Sequence, residues 1–282
     1  MSYFLHLLIL GQIYLLAVLG TQLLVQDGRL FFLAAGALFG AGAYAVALGA
    51  GLWGSVPALI AAGAAGAIVG ALLCAAAGRV RAESFALLTL GVQVVWGNAA
   101  NNLTAVTGGP FGIPGIPAFS WLGWTAGGLG RFALVSLVVV GAGALAVVSR
   151  RRGPWGKAAR AAALDRRAFE SLGKDPRTAD LELGALAGGA VGVSGGLFAF
   201  YLGYVDAATG GLDRAFTLFA MAVLGTAWKR SAAWFGVAIL LLVPEVLRFV
   251  RLSGPAGPAI QQLILGCVLL LIALRGRRVA TR

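Results

Sequence analysis

The chain contains 282 residues, of which 60% are hydrophobic and 11% are charged, and its formal net charge is +12. Soluble domains carry about 25% charged residues, so this composition excludes an ordinary soluble fold and predicts a polytopic membrane protein. The basic residues lie in short segments between long apolar runs, where Lys and Arg set membrane orientation, and we therefore exclude nucleic acid as a partner.

The apolar runs approach twenty residues and do not alternate, which favours membrane-spanning helices over a barrel in the lipid bilayer. We predict an all-α bundle of about eight spans, forming a single transmembrane domain over residues 1–282. The longer runs, in chain order, are Tyr3–Val25, Leu30–Leu52, Ser55–Ala77, Arg131–Val148, Thr178–Tyr204, Arg214–Trp228, Trp234–Phe249 and Pro258–Leu274.

A shorter apolar stretch, Ser84–Trp96, leads directly into polar residues and then into the Gly/Pro-rich run Gly108–Pro117, which cannot be regular helix. The polar residues are Asn98, Asn101, Asn102, Thr104 and Thr107. Irregular polar backbone within a membrane requires protein or a water-filled cavity around it, so one interpretation is a candidate aqueous pathway. The alternative is a helix end capped at the interface, followed by an external loop.

The run Thr178–Tyr204 contains four glycines in register at four-residue spacing: Gly184, Gly188, Gly192 and Gly196. Small residues at this spacing let helix backbones approach closely, and four in register predict a tight helix contact. Shorter pairs, Gly36 with Gly40 and Gly66 with Gly70, occur in the second and third runs.

The segment 150–177 is the longest polar passage and holds nine of the 22 Lys and Arg residues. Its middle has helical periodicity, with an apolar arc opposite a charged one. The apolar arc comprises Leu164, Ala168, Ala161, Leu172 and Phe169, and the charged arc Arg166, Glu170, Arg167 and Arg160. Asp165 interrupts the apolar arc, whereas Gly173 and Pro176 are typical of a helix end. We expect a compact amphipathic helix that presents one face to a partner; the alternative is a solvated loop whose charges only fix orientation.

The distribution of Lys and Arg places segment 150–177 and the basic C-terminus in the cytoplasm, with four crossings between them. Residues 98–130 and the N-terminus then lie outside. Arg248 and Arg251 also fall outside, which is contrary to the rule that Lys and Arg are enriched on the cytoplasmic side.

The chain lacks the motifs of an enzyme or a pump. It has no GxxxxGK[ST] phosphate-binding loop, a single histidine and no paired carboxylates within a span. Cys74 and Cys267 lie in apolar runs without metal-ligand spacing. We predict no catalytic residues, metal or cofactor, and expect another chain to supply the energy for transport.

Four stretches carry a resemblance to a known family. They are Ala35–Leu48, the stretch Phe85–Pro117 that ends in TGGPFGIPGIP, the segment Gly156–Gly173, and Leu186–Tyr204 with the apolar run that follows it. Together these stretches resemble the LivM-type permease subunits of ABC importers for branched-chain amino acids.

This resemblance implies a multi-pass permease of the bacterial inner membrane that pairs with a second permease. It also implies two cytoplasmic ABC ATPase subunits and an extracytoplasmic protein that delivers the amino-acid substrate. By resemblance, the coupling residues that meet the ATPase are Ala161, Asp165, Ala168, Glu170, Leu172 and Gly173.

The stretch Leu224–Ser231 departs from the family pattern, because most of the glycines expected in a turn there are missing. Permeases for urea and short-chain amides share the scaffold and provide an alternative substrate class. An alternative outside the ATP-driven importers is a membrane channel or scaffold that works without an ATPase.

Overall fold

The computed structural model describes residues 2–77, 80–121, 123–228 and 233–249, together with Gly266. Eleven α-helices occur within this described part of the chain. In order they are α1 (Ser2–Gln22), α2 (Ala35–Trp53), α3 (Ser55–Ala77), α4 (Ala82–Asn102), α5 (Thr104–Thr107), α6 (Leu129–Arg152), α7 (Pro154–Leu164), α8 (Arg166–Ser171), α9 (Pro176–Leu202), α10 (Leu212–Trp228) and α11 (Ala233–Phe249).

Helix α9 occupies the centre of the bundle. In the most apolar 18-residue stretch of α9, 78% of the residues are buried. The corresponding fractions are 28% in α6 and 33% in α3. It packs on α1, α2 and α3, and the Phe39 ring of α2 meets the Phe198 ring of α9 edge-on at 5.4 Å between centroids. In a membrane the helices on the outside keep their apolar residues exposed to lipid, so α3 and α6 suit a peripheral position.

Six helical stretches of the described residues are long and apolar enough to cross a membrane. They are Tyr3–Asp27, Ala35–Trp53, Ser55–Ala77, Leu129–Arg152, Pro176–Leu202 and Ala207–Thr226. The all-α membrane bundle predicted from the sequence is confirmed, whereas the count of about eight spans is not recovered within the described part. The predicted span Pro258–Leu274 apart from Gly266, the basic C-terminus and residues 229–232 of the divergent stretch lie outside the described residues.

Two further helices are not long and apolar enough to be counted among the six membrane-spanning stretches. Helix α4 is 21 residues long but is less apolar, because it ends in the asparagine-rich stretch. Helix α11 is 17 residues long and apolar over Ala233–Leu242.

Short extended segments organise the loop end of the bundle. Strand β1 (Ile113–Pro114) pairs antiparallel with β4 (Tyr204–Val205), and β2 (Ser120–Trp121) pairs antiparallel with β3 (Trp124–Thr125). The β1–β4 pairing fastens the Gly/Pro-rich run to the end of α9. At Gly112, whose φ is +64°, a Cβ would overlap the Val205 carbonyl oxygen, so this close approach requires glycine.

Candidate functional site

The segment between α6 and α9 folds as two short helices rather than the single helix that the periodicity predicts. Helix α7 ends at Leu164, and Asp165 is extended and caps α8 by accepting a hydrogen bond from the Ala168 N–H at 3.1 Å. An aspartate at this position favours a new helix start over continuation, which explains the break. Helix α8 ends in a left-handed turn at Gly173, with φ of +74°, as expected for a glycine helix stop.

The six residues assigned to coupling by resemblance are all exposed in this structure: Ala161, Asp165, Ala168, Glu170, Leu172 and Gly173. Two large apolar side chains, Leu164 and Leu172, stand out beside them, 63% and 74% exposed. Phe169, predicted on the same apolar arc, is instead buried, with the Lys174 ammonium 5.9 Å from its ring centroid. The outer surface of α7 and α8 is therefore an apolar and charged face that no other described element covers.

Small residues form the inner side of α7. Gly156, Ala159 and Ala162 are buried, and a Cβ on Gly156 would overlap the Arg151 carbonyl oxygen. This tight turn after α6 brings α7 back against the bundle, so that the face described above points away from it.

A buried carboxylate fixes α7 to the end of α1. The Asp27 side chain is 3% exposed, and its Oδ2 lies 2.7 Å from Arg151 Nε, while its Oδ1 lies 3.4 Å from Arg160 Nη1. Arg151 also donates to the Gln26 amide oxygen, and Arg160 donates to the Arg151 carbonyl oxygen at 3.3 Å. Asp27 and Gln26 belong to a turn of π-helix, Leu23–Asp27, that continues α1.

Two further contacts join the segment to the start of α9. Arg166 of α8 forms an ion pair with Asp180, and the Trp155 indole N–H of α7 donates to the Glu182 carboxylate. The segment is thus tied by polar side chains to the ends of α1 and α9, which are neighbours in the bundle.

The glycine ridge of α9 lies against α3. A Cβ at Gly184, Gly188 or Gly192 would overlap the carbonyl oxygens of Gly70, Gly66 and Ala62, respectively, and a Cβ at Gly196 would come 2.9 Å from the Ala62 Cβ. The pair Gly66 and Gly70 of α3 therefore faces the ridge. On the other side of α9, a Cβ at Gly195 would overlap the Phe39 carbonyl oxygen of α2. Backbones this close explain why α2, α3 and α9 pack as a unit.

The candidate pathway residues do not behave as one group. Asn98, Asn101 and Asn102 are exposed, and each side-chain amide donates to the backbone carbonyl four residues earlier. Their outer oxygens remain available on one end of α4, beside exposed Thr104. Thr107 differs, because it is buried, and its hydroxyl lies 2.7 Å from the Ala100 carbonyl oxygen and accepts from the Gly109 N–H. It is a structural residue of the turn and does not face the open surface that the other four share.

One buried and one partly buried polar residue escaped the sequence reasoning. Gln93 of α4 is 1% exposed; its amide oxygen accepts from the Ala37 N–H and its amide nitrogen donates to the Gly210 carbonyl oxygen, both at 2.7 Å. It joins α2 and α4 to the 3-10 turn Ala207–Gly210. A lone amide between Val92 and Val94 in an apolar run is the signal that could have identified it.

The other is Arg214 in α10, whose guanidinium carbon lies 4.7 Å from the Phe198 ring centroid and 5.5 Å from those of Tyr14 and Phe39. No carboxylate pairs with it among the residues that the structure describes. Three aromatic faces take the place of a counter-ion for this cation.

The chain matches the family model of the branched-chain amino acid transport system / permease component over residues 3–273. It is 29% identical over 267 residues to the high-affinity branched-chain amino acid transport system permease protein LivM of Escherichia coli strain K12, covering 85% of this chain and 62% of that protein. It is 28% identical over 264 residues to LivM of Salmonella typhimurium strain LT2, covering 84% of this chain and 61% of that protein.

The chain thus spans about three-fifths of the length of these curated relatives. No solved structure gives a significant match. The family match covers nearly the whole chain and agrees with a helical bundle that contains several membrane-spanning helices. The chain belongs to the family of branched-chain amino acid transport system permease components.

Proposed function

We propose that this chain is the membrane-spanning permease subunit of an ABC importer that moves branched-chain amino acids into the cytoplasm by alternating access. The observation that carries this proposal is the exposed outer face of α7 and α8, held on the bundle by the buried Asp27 ion pairs. A segment with a free outer face and charged anchors suits a docking element better than a loop that only fixes orientation.

Separate cytoplasmic ATPase subunits would bind this face through Leu164 and Leu172, with Glu170 and Asp165 beside them. When the two ATPase subunits close on each other, the movement would reach α9 through the ion pair Arg166–Asp180. It would reach α1 through the Asp27 cluster. Because α9 packs on α2 and α3 through backbone contacts, these three helices would move together.

A second permease subunit and an extracytoplasmic substrate-binding protein would complete the importer. The exposed end of α4, with Asn98, Asn101, Asn102 and Thr104, is the surface that we assign to the aqueous pathway between the two permeases. In this orientation segment 150–177 and the C-terminus are cytoplasmic, as the basic residues predict.

The proposal predicts that changes on the outer face separate the ATPase from transport. In Glu170→Lys combined with Leu172→Asp, we expect the ATPase subunits to be lost from the complex, since an apolar contact and a charge are altered together on an exposed surface. The measurement is mass spectrometry of the tagged, detergent-solubilised chain from its native membrane, together with leucine uptake. Uptake should fall at least tenfold while the amount of folded protein stays the same.

The matched control is Glu83→Lys, an exposed charge reversal in the first turn of α4. It should leave both ATPase association and uptake near the wild-type values. Normal ATPase recovery and uptake in the double variant would refute docking at this face. A bulky residue at Gly173 is a poorer test, because its φ of +74° makes any side chain there strain the turn.

A further inference from the structure

Tyr44 of α2 and Trp96 of α4 each bury a polar atom to which no described residue is hydrogen-bonded. Tyr44 is 5% exposed, and neither its hydroxyl nor the Trp96 Nε1 has a hydrogen-bond partner among the described residues. The two rings meet edge-on, with centroids 6.1 Å apart, so the two groups belong to one site. Buried donors without partners are rare and call for an explanation.

A carboxylate begins the turn that covers these donors. Asp206 is the N-cap of the turn Ala207–Gly210, and a Cβ at Gly210 would overlap the Trp96 Nε1. The Asp206 Oδ1 accepts from the Thr209 N–H at 2.9 Å and from the Thr209 hydroxyl at 2.8 Å, which caps the turn. No Lys or Arg in the described ranges forms an ion pair with it. The site therefore holds two free donors and one acidic group without a cation.

The turn Ala207–Gly210 covers the site through glycine contacts. A Cβ at Gly40 would come 2.6 Å from Trp96 Nε1 and 2.8 Å from the Gly210 Cα, and a Cβ at Gly36 would come 2.7 Å from the Gly211 carbonyl oxygen. The Gln93 amide also bridges α2 to the turn by hydrogen bonds. The Trp96 indole N–H therefore lies between the backbones of α2 and the turn, and a ligand reaches it only when the turn moves away.

We propose that Tyr44, Trp96 and Asp206 form a subsite for the charged end of an α-amino acid, closed by this turn in the conformation described. The Tyr44 hydroxyl and the Trp96 N–H donate to the carboxylate of the amino acid, and the Asp206 carboxylate accepts from its ammonium group. The inference rests on the proposed import function and deepens it, because it selects a zwitterion over a neutral amide such as acetamide.

The chemistry predicts opposite changes in stability and transport for the substitution Tyr44→Phe. Removing an unpartnered buried hydroxyl relieves a desolvation cost, so the unfolding temperature should stay the same or rise. Uptake of L-leucine by the complete importer, measured with saturating leucine-loaded binding protein, should fall about tenfold, because a hydrogen bond to a charged group is lost. Unchanged uptake in this variant would overturn the subsite.

Asp206→Asn is the second variant, because asparagine keeps the Oδ1 that caps the turn but loses the charge. We expect it to reduce leucine uptake about tenfold without unfolding the turn; wild-type uptake would remove Asp206 from the subsite. Tyr201→Phe is the control, since the Tyr201 hydroxyl is already hydrogen-bonded to His6. It should lower the unfolding temperature and leave uptake per folded molecule unchanged.

The leucine uptake assay distinguishes a failure of the subsite from a failure of the proposed function. A wild-type importer that takes up no leucine would refute the proposed substrate, and with it the subsite. A wild-type importer that takes up leucine, with Tyr44→Phe and Asp206→Asn equally active, would refute the subsite alone. A lower unfolding temperature in Tyr44→Phe with normal uptake would show that the hydroxyl serves only the fold.

Discussion

Asp27 shows at the level of one residue how a membrane helix and the segment 150–177 become connected. Its carboxylate is buried between two guanidinium groups, those of Arg151 and Arg160, from the end of α6 and from α7. A buried charge in such a place is tolerated only with partners, and removing one member leaves the others unbalanced. The cluster therefore specifies where α7 sits, independently of the apolar packing beside it.

Replacing this carboxylate should loosen the segment. We expect Asp27→Asn to lower the free energy of unfolding by about 3 kcal/mol, because two partly buried cations lose their counter-charge. Thermal unfolding of the purified protein in detergent measures this change. Asp213→Asn is the matched control, since Asp213 is exposed at the start of α10, and it should be nearly neutral. Equal unfolding temperatures for the two variants would mean that the Asp27 cluster contributes little to the fold.

At the scale of elements, the contact between α3 and α9 depends on the absence of side chains. The carbonyl oxygens of α3 occupy the space that a Cβ of α9 would take at three positions of the ridge. Lipid tails offer no less apolar an environment than Leu side chains, so close backbone packing is what favours helix association in a bilayer. The ridge therefore defines both the position and the register of α9 on α3.

Two neighbouring glycines of α9 test this register. At Gly188 a Cβ would overlap the Gly66 carbonyl oxygen, whereas at Gly189 it would lie 3.5 Å from the Gly63 carbonyl oxygen, an ordinary contact. We expect Gly188→Ala to lower the free energy of unfolding by about 2 kcal/mol, as overpacking does. Gly189→Ala should be neutral or slightly stabilising, because alanine is the better helix former. Thermal unfolding of both variants provides the comparison, and equal losses would contradict the proposed contact.

The whole molecule has two ends of different chemistry. One end carries α7, α8 and the ion-pair clusters, and the other carries the asparagines of α4 and the β1–β4 pairing. The basic residues of segment 150–177 predict that the first end is cytoplasmic.

Cysteine labelling can establish this orientation. In a background without Cys74 and Cys267, we expect Ala118→Cys to react with a membrane-impermeant maleimide in intact cells, because residue 118 is exposed at the end that we predict to lie outside. Ser171→Cys, exposed at the other end, should react only after the membrane is opened. The reverse pattern would invert the topology and remove the ATPase docking face from the cytoplasm.

Local patterns were sufficient for the helical bundle, the glycine ridge and the helix stop at Gly173. Each of these follows from the composition of a single stretch: apolar length, small-residue spacing, or a glycine suited to positive φ. The family resemblance, confirmed by the match over residues 3–273, rests on motifs of the same local kind.

Some of the remaining features follow from local caps and turns that periodicity does not encode, and others depend on residues that are distant in the sequence. The break at Asp165, the burial of Phe169 and the burial of Thr107 reflect neighbours and turns that periodicity does not encode. The Asp27 cluster joins residues separated by 124 and 133 positions, and Gln93 joins its partners across 56 and 117. A polar side chain in an apolar run signals that it needs a partner, but the fold of the bundle supplies that partner, because the nearest atoms in space belong to other helices.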